Sequence, residues 1–353
     1  MQNVVSKIRL FFFYLQEFFV LALTFRAKTE GIKIFGRPNF LGGPNTKYQQ
    51  LLPICANRWE SYNTIFCLSA VTVPIPLLRV LKLLGVKVIV NQNGVYYPGW
   101  FSGEYKAKNF YLRNLNILAD YTFFQSAFAL DSYKHWVGDA GNFSVLHNPV
   151  DVKKYVPKEI ASREIRLLFF TDVSSFNEKL WVHFLNFLDS LDAKSYPQVT
   201  IVVLGRILEP KVFERLALQR RFGQSPFKIE AHYNCNQDEV VKILQTCDLA
   251  FHLVYNDVCP NKVLEAMACG VWMIVSSAGG SAELVGSAGK ILPVPFTYSE
   301  PQYPDFKVME DALNDYIDNH EGRKQKSIDR AQEFAIDKWY QPIQEKVREL
   351  SQL

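Results

Sequence analysis

The 353-residue sequence lacks most of the features that announce a chemistry at first sight. Its six cysteines, Cys55, Cys67, Cys235, Cys247, Cys259 and Cys269, form no Cys-x-x-Cys pair and gather with no histidine. They read as small buried thiols in a reducing compartment, and no structural metal is expected. The formal net charge is only +4, which gives no reason to expect nucleic-acid binding. It leaves an anionic substrate or an anionic membrane surface open. No Gly-x-x-x-x-Gly-Lys phosphate loop occurs, and the pair Gly42 and Gly43 is not part of a Gly-x-Gly-x-x-Gly fingerprint. No internal repeat or low-complexity tract stands out.

A long uncharged apolar run is also missing. Residues 10–25 (LFFFYLQEFFVLALTF) come nearest, but they carry Glu17. As a helix they would span about 24 Å, short of the roughly 30 Å hydrocarbon core. Arg9, Gln16, Glu17 and Thr24 fall on one narrow side of the helical wheel. Three readings stay open: a buried first helix, a helix on a membrane surface, or a cleaved or spanning segment.

What is present is a regular alternation of short apolar strands and amphipathic helices over a length that favours two domains. Strands are expected at 32–35, 64–68, 86–90, 121–124 and 143–146, with helices between them. A charged stretch without a period, residues 152–164, reads as a linker. The alternation restarts with strands at 166–170, 199–204, 227–231, 249–253, 272–275 and 291–294. Helices are expected at 209–222, 309–320 and 323–350, the last with a kink at Pro342. The expected division is 1–30 as an apolar amino-terminal segment, 31–151 and 165–322 as two α/β domains, and 323–353 as a carboxyl-terminal helix. Two such halves imply a cleft, with ligands at the carboxyl ends of strands.

Three loops offer chemistry. In NDVCPNKVLEAMACG, residues 256–270, Asp257 lies in a loop and Glu265 on the following helix. Pro260 suits the first turn of that helix, which would leave the N–H groups of Asn261, Lys262 and Val263 facing an anion. Two carboxylates so placed can hold hydroxyl groups while the helix end holds a diphosphate. The plainer reading is a solvated Asp and a surface Glu. In SSAGGSAELVG, residues 276–286, Gly279 and Gly280 permit unusual backbone and Ser281 can cap a helix. Lys179 ends TDVSSFNEK after the first strand of the second half, where a cation can meet a leaving diphosphate, and Arg206 is a weaker candidate of the same kind. In the first half, Gly42 and Gly43 follow the first strand. The loop 91–100 offers Asn91, Gln92, Tyr96, Tyr97 and Trp100 to a sugar.

With these motifs the chain resembles the retaining glycosyltransferases of the GT-B fold, family 4 (group 1). The resemblance is most specific in Asp257, Cys259, Pro260 and Asn261, then in LEAMACG at 264–270, and in Gly279, Gly280, Ser281, Glu283, Leu284 and Val285. NGVYYPGW, FFQSAF and VLHNPVD in the first half are similar too. The resemblance implies two Rossmann-like domains facing across a cleft, with the carboxyl-terminal helix crossing back to the first. It implies that Asp257 contacts the donor hexose, Glu265 the nucleotide ribose and Lys179 the diphosphate. The backbone at Val263 and Leu264, and Gly42 and Gly43, would approach that diphosphate. Two departures stand out. Thr171 and Asp172 occupy the place of the family's phosphate-binding arginine, and Asn91, Gln92 and Asn93 that of its sugar-contacting histidine. The implied reaction is metal-independent hexosyl transfer, with retention, from a UDP- or GDP-sugar cosubstrate to a glycan or glycolipid. Polysaccharide or lipopolysaccharide assembly in the cytoplasm, peripheral to the inner membrane face, is the implied setting. A sugar-nucleotide epimerase, or a relative that binds donor without turnover, are the alternatives.

Overall fold

The computed structural model describes residues 2–27, 29–36, 43–159 and 164–352, with residues 2–11 as backbone alone. The chain divides into two compact units. Met1–Tyr97, Phe101–Asn148 and Ile336–Leu353 form the first, and Pro98–Trp100 with Pro149–Ala335 the second.

The first unit holds a parallel sheet in the order β1-β2-β3-β4-β5. Its strands are Ile32–Ile34, Thr64–Leu68, Lys87–Gln92, Tyr121–Phe124 and Phe143–Val145. Strand side chains alternate between faces, so each strand feeds two cores. Ile65, Cys67, Val88 and Val90 pack with Tyr14 and Leu21 of the helix Gln2–Thr24 and with Leu78 and Leu81 of the helix Ile75–Leu83. Phe66, Leu68, Ile89 and Phe123 pack on the other face with Leu51, Trp339, Ile343, Val347 and Leu350. The last four recur at helical spacing along Ile336–Ser351. Burying each contributes about 1.5–3 kcal/mol, enough to hold a helix that carries Pro342 in its interior.

The second unit holds a parallel sheet in the order β11-β10-β9-β6-β7-β8. These strands are β6 Ile165–Phe170, β7 Val199–Gly205, β8 Lys228–Tyr233, β9 Leu249–His252, β10 Trp272–Ser276 and β11 Gly289–Leu292. Alternate residues again serve two layers. Leu167, Phe169, Phe251 and Ile274 meet Trp181, Phe184 and Phe187 of the helix Glu178–Ser190. Leu168, Phe170, Ala250 and Met273 meet Val263, Leu264 and Met267 of the helix Asn261–Ala268.

Three expectations need correction. The single helix at 209–222 is two, Pro210–Leu216 and Leu218–Gln224, broken at Ala217 with φ of +50°. Residues two apart in a helix point to nearly opposite sides. The break lets both Leu216 and Leu218 enter the same core. The stretch 323–350 breaks not at Pro342 but between Arg323–Gln332 and Ile336–Ser351. There the Phe334 carbonyl accepts the Val150 N–H at 2.9 Å and Ala335 bridges Val150, which takes the backbone out of the helix. Residues 152–155, read as the start of a linker, lead into the second unit's core, where Tyr155 is buried.

Candidate functional site

The second sheet reverses its strand order between β6 and β9. In open α/β sheets the carboxyl ends at such a reversal are where ligands bind. Polar atoms collect at these two ends and are left over. Thr171 Oγ1 beyond β6, both ring nitrogens of His252 at the end of β9, and Asn256 Oδ1 in the following loop are buried without a hydrogen-bond partner among the described residues. Buried polar groups are normally paired, and each that is not costs about 1–3 kcal/mol. So many at one switch point make it the candidate site for a polar ligand.

Asp257 stands in this loop. The His252 Nε2 is 3.4 Å from its Oδ2, and the His252 ring lies against Phe170. Its backbone is held as well. The Gly280 N–H donates to the Asp257 carbonyl at 2.7 Å. Gly279, with φ of +102°, brings its Cα so close that a Cβ would lie 2.7 Å from that carbonyl oxygen. The two most specific motifs therefore meet through backbone.

Glu265 lies eight residues on, inside the helix Asn261–Ala268. The Gln237 Nε2 donates to the Tyr155 hydroxyl at 3.1 Å. That hydroxyl in turn hydrogen-bonds Glu265. Burial raises the Glu265 carboxyl above its ordinary value, against the Tyr155 hydrogen bond and the charges of Lys262 and Lys154.

The place of the missing arginine is filled in an unexpected way. Asp172 accepts hydrogen bonds from the Arg206 backbone N–H at 3.1 Å, from Arg206 Nε at 3.3 Å and from Arg206 Nη2 at 2.6 Å. Lys262 Nζ adds one at 3.3 Å. Burial works to raise the Asp172 carboxyl, but Arg206 and Lys262 outweigh it and hold it below the ordinary carboxylate value. The carboxylate thus gathers two cations from β7 and from the first turn of the helix Asn261–Ala268. Lys262 could have been found in the sequence as a charge at the second position of that helix. Arg206 could not be joined to Asp172 without the β6–β7 pairing. Lys179, in the first turn of Glu178–Ser190, is well exposed and lies 4.0 Å from Glu300.

Several expected roles change. The Gly280 N–H is spent on Asp257 and does not face outward. The helix after it, Ser281–Val285, has five residues with Gly280 rather than Ser281 as its cap. Pro260 stands one residue before the helix Asn261–Ala268, and the Val263 N–H donates to the Pro260 carbonyl at 3.2 Å, so it is not left for an anion. The Val263 and Leu264 side chains are fully buried in the core. The tip of the loop 91–100 lies in the second unit, where the Gly99 N–H donates to the Tyr298 carbonyl at 2.8 Å. Tyr97 is buried and stacks on Trp136. Gly42 lies outside the described residues. Gly43 begins the helix Gly43–Leu51, with no atom of the described residues beyond its own helix within 4 Å of where a Cβ would stand.

In the first unit, Asn91 and Gln92 end β3 and are fully buried. Gln92 is used up locally. Its Nε2 donates to the Asn93 and Gly94 carbonyls at 3.0 and 3.3 Å, and its Oε1 accepts from Asn116 at 3.1 Å. Asn91 keeps its Nδ2 without a partner among the described residues.

Residues 164–330 match the family described as Glycosyl transferases group 1. No curated protein sequence matches the chain. Among solved structures, Anabaena HepE in complex with UDP and glucose is similar at 18% identity and a TM-score of 0.61, over 82% of this chain and 78% of that one. Sucrose-phosphate synthase from Thermosynechococcus elongatus is similar at 15% identity and a TM-score of 0.60, over 82% and 74%. The pneumococcal O-GlcNAc transferase GtfA, in complex with UDP and GlcNAc, follows at 9% identity and 0.60, over 81% and 56%. By sequence, residues 164–330 are similar to the group 1 glycosyl transferases, and the fold of the chain, with two parallel α/β sheets, is that of GT-B proteins.

Proposed function

We propose that the chain is a glycosyltransferase that moves a hexosyl residue from a UDP- or GDP-sugar to a glycan or glycolipid acceptor, with retention and without a metal. The observation that carries this reading is the switch point of the second unit. There Asp257 is clamped through its backbone beside buried polar atoms that are unpaired among the described residues, with Glu265 one helix away and Arg206 and Lys262 gathered on Asp172. In this reading Glu265 accepts the ribose hydroxyls and Asp257 a hydroxyl of the hexose. Asn261, Lys262, Arg206 and Lys179 carry the charge that grows on the departing diphosphate. Lys179 then exchanges Glu300 for phosphate. HepE and GtfA, with UDP bound in their solved structures, support a uridine donor.

The test is calorimetric titration with a panel of UDP- and GDP-sugars, followed by product analysis on glycan and glycolipid acceptors. One donor should bind and be transferred with its anomeric configuration kept. Glu265→Ala and Lys179→Ala should each weaken donor binding roughly tenfold. Binding without transfer or hydrolysis would identify a non-catalytic relative, and an epimerised free nucleotide sugar would identify an epimerase. No binding by any donor would overturn the reading.

We further propose that the first unit docks on an anionic membrane at the inner face, in the cytoplasm. Among the described residues no helix is long and apolar enough to cross a membrane. The helix Gln2–Thr24 buries Tyr14, Val20 and Leu21 but exposes Phe12, Phe19 and Leu23. Leu83, on the helix it packs against, is 86% exposed. Apolar side chains so arranged next to exposed Arg26 suit an anionic interface. The chain should cosediment with vesicles containing phosphatidylglycerol and not with pure phosphatidylcholine. Phe19→Ser with Leu23→Ser should remove that binding while the fold is kept. Equal sedimentation of wild type and variant would refute the surface.

A further inference from the structure

A histidine that no motif pointed to ends an interior strand of the second sheet. β9, Leu249–His252, is buried along its whole length and pairs with β6 on one side and β10 on the other. Successive side chains of a strand point to opposite faces. Leu249 and Phe251 enter the core beside the helix Glu178–Ser190, and Ala250 enters the core beside the helix Asn261–Ala268. His252 follows Ala250 onto that second face, and its neighbours there are apolar. Phe170 ends β6 on the same face, with its ring centroid 5.3 Å from that of His252. Val275 of β10 stands opposite His252 in register.

One polar group reaches this enclosed ring. Neither ring nitrogen has a hydrogen bond among the described residues. The loop after β9 carries Asp257 back, so that its Oδ2 comes to 3.4 Å from Nε2. That is just beyond the ordinary range of an N–H···O hydrogen bond, and a small rotation of the Asp257 side chain closes it. The His252 side chain is 2% exposed and that of Asp257 30%. The carboxylate thus spans from the buried ring to the open end of the sheet. His252 is too deep to touch a ligand, and Asp257 is not. A carboxylate accepts and does not donate, so a bare Nε2 opposite it would set two acceptors against each other in a buried place. The contact therefore calls for the ring proton on Nε2.

We infer that His252 is a positioning residue: its Nε2–H holds Oδ2 of Asp257 and so turns the other carboxylate oxygen, Oδ1, toward a hydroxyl of the donor's sugar. This rests on the glycosyl-transfer reading for the identity of the ligand, but not for the pairing of His252 with Asp257. Both residues lie in the second unit, so the device is complete within it. A carboxylate held at one oxygen from inside the protein loses less rotational freedom when a hydroxyl meets the other. The Gly280 N–H fixes where the Asp257 backbone stands, and the ring fixes how its carboxylate is turned.

The experiment is a double-mutant cycle on kcat for the nucleotide sugar that the donor panel identifies, with His252→Leu, Asp257→Ala and both changes together. His252→Leu should lower kcat roughly tenfold to a hundredfold, the range of a hydrogen bond to a charged group. Its affinity for UDP should stay within about threefold of wild type. The double variant should fall no more than about threefold below Asp257→Ala, because the polar contact of His252 is with Asp257. His252→Gln, whose Nε2 is a donor of similar reach, should recover most of the loss. A folded His252→Leu enzyme within about twofold of wild type, a double variant showing the full product of the single losses, or a His252→Gln enzyme no better than His252→Leu would overturn the inference.

A second measurement is independent of turnover. In protein labelled with 15N-histidine, the His252 ring signals are assigned by their loss in His252→Gln. Nε2 should carry a proton, and its exchange with water should be at least about tenfold faster in Asp257→Ala than in wild type. A bare Nε2, or exchange unchanged by loss of the carboxylate, would overturn the pairing. If wild type transfers no sugar, the glycosyl-transfer reading fails while this ring-proton result still decides whether His252 holds Asp257. If His252→Leu does not fold, His252→Asn, whose amide is polar but too short to reach Asp257, takes its place in the cycle.

Discussion

Asp257→Asn is expected to lower kcat about a hundredfold to a thousandfold while donor affinity changes by less than about threefold. The change is isosteric, and the loop that carries the residue is held by backbone. The Gly280 N–H donates to the Asp257 carbonyl, and the Asn256 Nδ2 donates to the Thr297 carbonyl at 3.1 Å. Neither bond involves the carboxylate, so the fold should survive. What is lost is a negative charge beside His252, which in the proposed reaction would lie close to the positive charge that grows on the hexose as its bond to the diphosphate stretches. An interaction that strengthens as charge develops appears in kcat, and one of equal strength in ground and transition states appears in KM alone. Single-turnover rates and calorimetric binding of the donor separate these. An equal loss in Kd with kcat unchanged would make Asp257 a binding residue only. No change in either would remove it from the site.

The sequence showed more of the fold than of the contacts within the site. The strands at 64–68 and 121–124 were legible to the residue because each is a short apolar run bounded by polar or turn residues. The corrections fall where a tertiary contact overrides local periodicity. Ala217 breaks a helix so that two leucines can share one core, and the backbone at 334–335 leaves its helix to pair with Val150. In the site, Asp257 and Glu265 were visible as spaced carboxylates. The role of Gly280 was not, because the destination of an N–H cannot be read from residue type. Arg206 and Asp172 are 34 residues apart in sequence and meet only because β6 and β7 pair in register from Ile165–Val199 to Phe170–Leu204. His252 was passed over for a similar reason. A histidine at the end of an apolar strand reads as one more strand residue until the loop after it brings Asp257 back to its ring.

Gly279→Val is expected to bring transfer to the limit of detection and to lower the unfolding midpoint of the second unit, and Gly279→Ala to do the same less severely. Two independent costs combine. At φ of +102° a residue with a Cβ is strained, by about 1–3 kcal/mol. The Cβ would also lie 2.7 Å from the Asp257 oxygen, 2.9 Å from the Asp257 nitrogen and 3.0 Å from the Asn256 carbonyl carbon. All three are backbone atoms, so no side-chain rotation relieves the contact. The loop must move, and the Gly280 to Asp257 hydrogen bond is the first to break. A strain of this size should shift the midpoint by roughly 2–12 °C in a unit of this length. A displacement of Asp257 by about 1 Å can by itself cost a hundredfold in rate. Gly223→Ala is the stability control, since beyond its chain neighbours and its own helix backbone no atom of the described residues lies within 4 Å of its Cβ position, and its φ needs no glycine. It replaces glycine inside the helix Leu218–Gln224 and should raise the midpoint slightly. Thermal scans with a rate assay at a temperature where all variants are folded separate the two costs. A Gly279→Ala enzyme with full rate but a lowered midpoint would leave strain as the whole effect and free Asp257 from the Gly279–Gly280 clamp. A lost rate in a protein that is still folded would tie the two motifs together as one device, in which the glycine pair exists to place a carboxylate.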